Sequence, residues 1–367
     1  MSRQEQGPRV LLILDKCGPG EAVRALPMAG AVRAAHPSAD ITLLVAEQAY
    51  PLVAGDHRFD RVLPSRLYGR QPRRGLSALV TAGILAARIG FRFDLVLTLL
   101  GGSTTLNLIG WLVGGKRRVG YPHRFPGLLT GSPGAYGTRG DMAANLALLE
   151  AARIPFADSL SPALVVTEPE RDEARGLLAR RGRHPQRPLV ILHTGSDWAC
   201  QQWTPERWAR LADQLIRESD PDVVLTGLAD DCDYIEQIRR SMTSASISLA
   251  GETNLRQLAA VISLASLCVS VDSAAHDLAQ ALGVPATVLA GPTLPEAPPE
   301  RSLHVINQTP PELKKTILDC QDRFPNGFCH DYACPWAGMK NINVERVLAG
   351  IVQTGALTRA DARTTAL

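Results

Sequence analysis

Asp272 and Ser273 stand where an apolar run meets a helical pattern, in the stretch VSVDSAAHDLAQALGVPATVLAGPT at residues 269–293. The first turn of a helix has unpaired backbone N–H groups and the positive end of the helix dipole, so it can hold a diphosphate without a metal. The next residues, Ala274 and Ala275, are small enough to let a ligand come close. The alternative is that Asp272 and Ser273 only cap the helix.

Further polar loops follow apolar runs of the same kind. ILHTGS ends in Thr194, Gly195 and Ser196, and VVLTG ends in Thr226 and Gly227. Near the start of the chain, LDKCGPGEAV is a strand, a Gly-rich turn and a helix start that contains Glu21. If the strands are parallel, these loops lie at the carboxyl edge of a sheet, where α/β proteins bind ligands.

Short apolar runs alternate with helical patterns twice along the 367 residues, which are too many for one ordinary core. Such alternation predicts parallel sheets covered on both faces. Strands are predicted at 9–15, 40–46, 61–64, 94–100 and 117–121, and again at 188–195, 222–227, 246–251, 267–272 and 286–291. The main predicted helices are 21–35, 76–89, 205–218, 231–242, 254–265 and 273–282.

The fold prediction is therefore α/β, with two Rossmann-like, doubly wound parallel-sheet domains that face a shared cleft. The domains are residues 1–160 and 161–340, and residues 341–367 form a C-terminal helix and a frayed tail. The uncharged stretch 95–115 is split by a Gly-Gly pair and four polar residues, which predicts a strand, a turn and a helix start rather than a membrane span.

Bulk composition excludes several classes of protein. With 45% hydrophobic and 20% charged residues the chain is typical of a globular enzyme, and a net charge of +3 is too small for a nucleic-acid binder. The polar start MSRQEQGPR is unlike a secretory signal, which predicts a cytoplasmic protein.

The cysteine pattern leaves one metal question open. Of seven cysteines, Cys320, Cys329 and Cys334 cluster with His330, but the cluster lacks a C-x-x-C knuckle. A structural or incidental role is favoured over a metal site.

These stretches, in this order, resemble glycosyltransferase family 9, the ADP-heptose:lipopolysaccharide heptosyltransferases. The resemblance spans residues 9–350 and includes FDLVLTLLGG with RRVGY after it, LHTGS before W-T-P-E-R-W, and the stretch 269–293. It implies a GT-B fold. It also implies a nucleotide-activated heptose, ADP-heptose above all, that is bound mainly by the C-terminal domain, and a lipopolysaccharide-core or related saccharide acceptor at the N-terminal domain.

The implied reaction is an inverting, metal-independent displacement that needs no cofactor. Glu21 stands at the position of the general base, where the family usually has Asp; the alternative is a carboxylate that only interacts with the helix dipole.

The implied donor-binding residues all lie in loops of the second domain. They are Thr194, Gly195, Ser196, Gln201, Thr226, Gly227, Asp272, Ser273, Ala274, Ala275 and His276. Three departures from the family remove positive charge or space there. Gln201 and Gln202 replace a lysine, Ala274 replaces a glycine, and Asp277 replaces a histidine, with His276 one place early.

The loop PSRLYGRQPRRG at residues 64–75 carries Arg66, Arg70, Arg73 and Arg74 and no acid. It is the candidate acceptor-binding loop, and it could also meet phosphorylated lipid headgroups at the inner face of the cytoplasmic membrane. A merely solvated loop is the alternative.

Two other functions compete with a glycosyltransferase. An NAD-dependent oxidoreductase or epimerase would use Gly18, Gly20 and Glu47, but Val23 stands where the third glycine of that motif belongs. A non-catalytic nucleotide-sugar-binding protein is favoured by the lost lysine and the displaced histidine. The acid triplets at 220–222 and 231–233 resemble metal-binding Asp-x-Asp motifs but are assigned to surface turns.

Overall fold

The computed structural model describes most of the chain, which divides into two compact units, Met1–Ala163 and Leu164–Leu367. The described residues are 7–15, 17–67, 76–100, 102–136, 141–156, 163–196, 201–291, 303–307 and 338–357.

The first unit contains a parallel sheet in the order β3-β2-β1-β4-β5. Its strands are β1 (Arg9–Leu14), β2 (Asp40–Ala46), β3 (Arg61–Ser65), β4 (Leu95–Thr98) and β5 (Arg117–Val119). Its helices are α1 (Pro19–Ala35), α2 (Tyr50–Val53), α3 (Leu76–Ile89), α4 (Thr104–Leu112) and α5 (Asp141–Ala151). The central strand β1 is almost wholly apolar and buried, as expected for a parallel strand covered on both faces.

The second unit contains a parallel sheet in the order β11-β10-β9-β6-β7-β8. Its strands are β6 (Leu189–His193), β7 (Asp222–Thr226), β8 (Ile247–Ser248), β9 (Leu267–Val271), β10 (Ala286–Ala290) and β11 (Leu303–Asn307). Its helices are α6 (Glu168–Arg180), α7 (Pro205–Ser219), α8 (Cys232–Ser241), α9 (Leu255–Ile262), α10 (Ala274–Ala281) and α11 (Val344–Thr354). One face of this sheet packs with Trp203 and Trp208, whose rings meet edge to face at 5.2 Å.

The prediction of two doubly wound α/β domains is confirmed, since each sheet is open, wholly parallel and interleaved with helices. The uncharged stretch 95–115 also folds as predicted into a strand, a turn and a helix. Gly102 in the turn has φ +54, and Ser103 caps α4 by accepting the Leu106 N–H at 3.2 Å. Among the described residues, no helix has both the length and the apolar content to cross a membrane.

Two strands differ most from the sequence prediction, and the helices α2, α5 and α6 were not predicted. Strand β8 covers only Ile247–Ser248 instead of 246–251, and Gly251 after it takes a left-handed φ of +69. Strand β11 was not predicted, and it pairs in parallel with β10. Its five residues, LHVIN, follow a Pro-rich stretch and offer little periodicity.

Each sheet has one point where the strand order reverses direction. In the first unit it lies between β1 and β4, and in the second between β6 and β9. Ligands of open parallel sheets bind outside the carboxyl ends of the strands at such a switch point. Ligand-binding residues are therefore expected in the loops after these four strands.

Candidate functional site

Three neighbouring strands of the second unit end at the same level. His193 of β6 is in register with Thr226 of β7 and with Ser270 of β9. The loops that start at Thr194, Gly227 and Asp272 therefore leave the sheet side by side. The structure thus brings the donor-binding residues predicted from sequence to one edge, at the switch point of the sheet.

The loop after β6 is held by its own polar groups. The Thr194 N–H donates to the Thr226 carbonyl at 3.3 Å. Ser196 Oγ donates to Gln201 Oε1 at 2.9 Å, and Gln202 Nε2 donates to the Ser196 carbonyl at 3.2 Å. The two glutamines that stand in place of the family's lysine therefore fasten the loop and bring no charge to it. Residues 197–200 lie outside the described residues.

Asp231 belongs to this edge although sequence reasoning assigned its triplet to a surface turn. It precedes α8, and its Oδ2 accepts the Leu228 N–H at 2.7 Å. A Cβ at Gly195 would lie only 2.1 Å from Asp231 Oδ2, and one at Gly227 would lie 2.9 Å from Asp231 Cβ. Both glycines are thus needed for the approach of this carboxylate. The signal in the sequence is an acid four residues after the Thr-Gly that ends β7.

The acids of the other triplet, residues 220–222, make structural contacts. Asp220 ends α7 in the left-handed conformation, and Asp222 opens β7 and accepts the His184 N–H at 2.6 Å. Within the described part of the chain, no group of three or more His, Cys, Asp or Glu side chains could hold a metal ion. The cluster of Cys320, Cys329, His330 and Cys334 lies outside it.

The junction at Ser273 forms the start of α10. Ser273 is extended, with φ −158 and ψ 170, and Ala274 is the first helical residue. Ala274 is not among the described residues with positive φ, so the alanine in place of the family's glycine causes no backbone strain. Ser273 Oγ is buried and has no hydrogen-bond partner among the described residues. The hydroxyl that could have capped the helix is therefore not used for capping.

His276 performs the capping instead. Its Nδ1 accepts the Ser273 N–H at 3.3 Å, which assigns the ring proton to Nε2. Nε2 lies 3.4 Å from Asp277 Oδ1, and both side chains are buried. His276 is thus turned into the domain, and the acid at 277 faces an imidazole N–H.

Two more polar groups complete this edge. Thr194 is fully buried, and its Oγ1 has no hydrogen-bond partner among the described residues. His193 Nδ1 lies 2.9 Å from Thr226 Oγ1. Burial, and to a smaller extent the nearby His276, lowers the pKa of His193 from 6.5 to about 4. His193 is therefore neutral near pH 7, and the predicted donor-binding residues include no Lys or Arg.

In the first unit, Glu21 lies in the first turn of α1 at the carboxyl end of β1. Its Oε2 accepts the Gly18 N–H at 2.9 Å, and its Oε1 is 3.7 Å from Arg24 Nη2. The side chain is 38% exposed, so it can still reach a ligand. Its contacts show the helix-terminus role directly; its role as base stays a prediction.

Sequence reasoning did not single out two buried neighbours of Glu21. Asp15 directly follows β1 and is fully buried. Cys17 Sγ donates to the Leu14 carbonyl at 2.9 Å. Burial, together with the charges of Glu21 and Asp15, raises the pKa of the Cys17 thiol well above its usual range, so this cysteine is not a nucleophile. The signal for Asp15 was an acid directly after the first buried strand.

The predicted acceptor-binding arginines are only partly described. Arg66 lies 2.6 Å from the carboxylate of Glu47, and both side chains are exposed. Arg70, Arg73 and Arg74 lie outside the described residues. The pairing also bears on the NAD-binding alternative, since Glu47, its candidate ribose-binding acid, is bound to an arginine.

Comparison with known proteins gives a family match over part of the chain. Residues 142–318 match the model of Glycosyltransferase family 9 (heptosyltransferase). Lipooligosaccharide heptosyltransferase 2 of Haemophilus ducreyi is 30% identical over 168 residues, which are 43% of this chain and 48% of that protein. The chain therefore spans about half the length of this curated relative.

Solved structures extend the likeness to the whole fold. The glycosyl transferase family 9 structure from Veillonella parvula has a TM-score of 0.77 at 18% identity and covers 95% of this chain and 97% of its own. E. coli ADP-heptose lps heptosyltransferase II has a TM-score of 0.70 at 20% identity and covers 96% and 99%. The GT-B-like fold and the resemblance to glycosyltransferase family 9 are both confirmed.

Proposed function

We propose that this chain, which is similar to glycosyltransferase family 9, transfers a heptose-type sugar from a nucleotide diphosphate, ADP-heptose above all, to a lipopolysaccharide-core or related saccharide. The observation that carries the proposal is the edge at the switch point of the second unit. There the first turn of α10 presents backbone amides, and Thr194 and Ser273 present two buried hydroxyls without partners among the described residues. Buried hydroxyls of this kind call for a partner, and diphosphate oxygens supply one.

The reaction proposed is an inverting, metal-independent displacement. Glu21 removes the proton from the acceptor hydroxyl, the hydroxyl oxygen attacks the anomeric carbon, and the bond from that carbon to the diphosphate oxygen breaks. The exposed carboxylate of Glu21, which is held by Gly18 and Arg24, supports this role. Negative charge grows on the leaving diphosphate, where the amides at the start of α10 stabilise it. No cofactor takes part in this scheme.

Binding without a lysine is weaker than binding with one. The predicted donor-binding residues include no Lys or Arg, and Gln201 offers only neutral hydrogen-bonding groups. Neutral hydrogen bonds to a phosphate contribute less than charge-assisted ones. This supports the second candidate function, a protein that binds nucleotide sugars without turnover. An NAD-dependent oxidoreductase or epimerase is less well supported, because Glu21 lies inside its phosphate loop and Glu47 is paired with Arg66.

We further propose that the protein is cytoplasmic and meets its acceptor at the inner face of the cytoplasmic membrane. The support is the loop of Arg66, Arg70, Arg73 and Arg74, whose sequence contains no acid. Such a loop is attracted to the phosphates of lipid headgroups or of a core oligosaccharide. The attraction does not depend on the sugar that is transferred.

Thermal-shift measurements test the donor class. A ligand that binds only the folded protein raises the melting temperature by mass action, so ADP-heptose should raise it and NAD should not. If NAD raises it while ADP- and GDP-sugars do not, the proposal is wrong. Nucleotide release with and without an acceptor saccharide then separates the enzyme from the non-catalytic binder, since only the enzyme releases nucleotide in response to the acceptor.

A further inference from the structure

The helix α3 carries apolar residues on both of its faces. Its inner face, which includes Ala82, Leu85 and Ile89, is buried in the core of the first unit. Leu79, Val80 and Ile84 on its outer face are 51%, 56% and 56% exposed. Gly83 and Ala87 lie on the same face of the helix and are exposed too. We call Leu79, Val80, Gly83, Ile84 and Ala87 the outer face of α3.

Other apolar side chains extend the exposed surface near α3. Phe91, two residues after the helix ends, is exposed, and Trp111 is exposed on the neighbouring helix α4. In the described part of the second unit, the exposed large apolar residues Val165, Leu228 and Val352 lie on separate segments. Single exposed apolar residues are normal, but several on one helix mark a surface that binds a partner.

The stretch of sequence that contains α3 and its neighbour α4 carries charges of almost one sign. Between residues 76 and 136 there are six Lys or Arg and one acid, Asp94. The six are Arg88, Arg92, Lys116, Arg117, Arg118 and Arg124. Asp94 is bound to Lys116 at 2.7 Å, so it does not offset the others. The region has a net charge of +5, from six minus one, whereas the whole chain has only +3.

We propose that the outer face of α3 is a membrane-binding surface and that it binds a bilayer containing anionic lipids. The 14 residues of α3 span about 21 Å, which is less than the roughly 30 Å hydrocarbon core. The helix lies along the bilayer, with Val80 and Ile84 entering the boundary between headgroups and acyl chains. Arg88 and Arg92 meet lipid phosphates, and Trp111 is of the residue type enriched at this depth.

Charge decides between a bilayer and a second copy of the chain. Two copies that met through this face would bring two basic regions together, and like charges repel, whereas an anionic bilayer attracts the same region. The inference rests on the proposed function insofar as a lipid-linked acceptor explains why the first unit should meet a membrane. It goes further by assigning the contact to described apolar residues outside the arginine loop.

Vesicle flotation of the full chain tests this surface, with phosphatidylcholine vesicles and with vesicles that also contain phosphatidylglycerol. We expect binding to the anionic vesicles that weakens with added salt. The double variant Val80→Gln, Ile84→Gln should bind about tenfold more weakly or worse. The reason is that it has lost the two aliphatic side chains that the bilayer would bury. The matched control Val352→Gln changes a 76% exposed valine on α11 and should bind like the wild type.

Several results would overturn the inference. The first is that the wild type does not float with anionic vesicles, and the second is that the double variant floats as well as the wild type. The third is that sedimentation velocity shows a wild-type dimer that the double variant does not form. Flotation needs no nucleotide sugar, so its outcome is separate from that of the thermal-shift test. A chain that floats but ignores every sugar nucleotide would keep the membrane surface and lose the proposed function.

Discussion

The carboxyl edges of the two sheets share a topology and differ in chemistry. Each edge has a switch point beside a central strand that runs into a helix. In the first unit the edge carries the acids Asp15 and Glu21. In the second it carries the hydroxyls of Thr194 and Ser273 and a neutral His193, beside the acids Asp231 and Asp272. The acids of the first edge can accept a proton, whereas the hydroxyls and backbone amides of the second edge can bind phosphate.

The same capping arrangement occurs at the start of α1 and of α10, with different side chains. In both units a side chain three residues into the helix accepts the N–H of the residue before the helix, Glu21 in one and His276 in the other. The glutamate brings a negative charge to its helix start. The imidazole accepts the N–H with an uncharged nitrogen, so this acceptor adds no negative charge of its own to the start of α10, where Asp277 is the acid of the first turn. The difference suits a base in the first unit and an anion site in the second.

Glu21→Gln has the largest expected effect and tests whether the acidic edge supplies the base. Glutamine keeps an oxygen that can accept the Gly18 N–H, but it cannot take up a proton at neutral pH. We expect acceptor-dependent nucleotide release to fall by about 100-fold or more, with an unchanged thermal shift by the donor. Glu345→Gln removes a matched first-turn acid in α11 and should leave turnover intact. Full turnover of Glu21→Gln would leave this carboxylate only its structural role.

The neutral His193 of the second edge predicts a pH dependence of stability. The pKa of His193 is about 4 in the folded chain and 6.5 ordinarily, so the unfolded chain binds more protons between these values. Stability contributed by neutral His193 is fully present above pH 6.5 and is lost as the pH falls through about 4. The loss is up to about 3 kcal/mol. Urea unfolding of wild type and His193→Asn at several pH values measures it, and equal pH profiles would contradict it.

Gly195→Ala tests the contact that sets the shape of the second edge. An added Cβ would overlap Asp231 Oδ2 at 2.1 Å, so we expect a loss of stability of about 2 kcal/mol. Adding Asp231→Ala removes the overlapping carboxylate and should recover most of the loss. Gly176→Ala in α6 is the control, because its Cβ would meet nothing closer than 3.5 Å and should stabilise the helix. If the double variant unfolds as easily as Gly195→Ala, the overlap is not the cause.

Sequence patterns predicted the elements better than the contacts between loops. The predicted helix 76–89 coincides with α3, because the sequence has an unbroken helical pattern over these residues. Asp231 was missed because its link to Gly195 crosses 36 residues (231 minus 195) and depends on β6 and β7 being neighbours. The capping by His276 was missed because Asp, Ser and Thr are the usual N-terminal caps, and an imidazole at the third helical position is not.

Ser273→Ala has the smallest expected effect, and it separates anion binding from capping. If Ser273 Oγ serves the donor, its loss weakens donor affinity by about tenfold, and stability stays equal or rises because a buried hydroxyl without a partner has been removed. If it were a cap, stability would fall by about 1 kcal/mol and donor affinity would not change. Ser103→Ala shows what a true cap does, since Ser103 Oγ accepts the Leu106 N–H at 3.2 Å. Thermal unfolding and donor titration of both variants therefore decide what the hydroxyl at the start of α10 does.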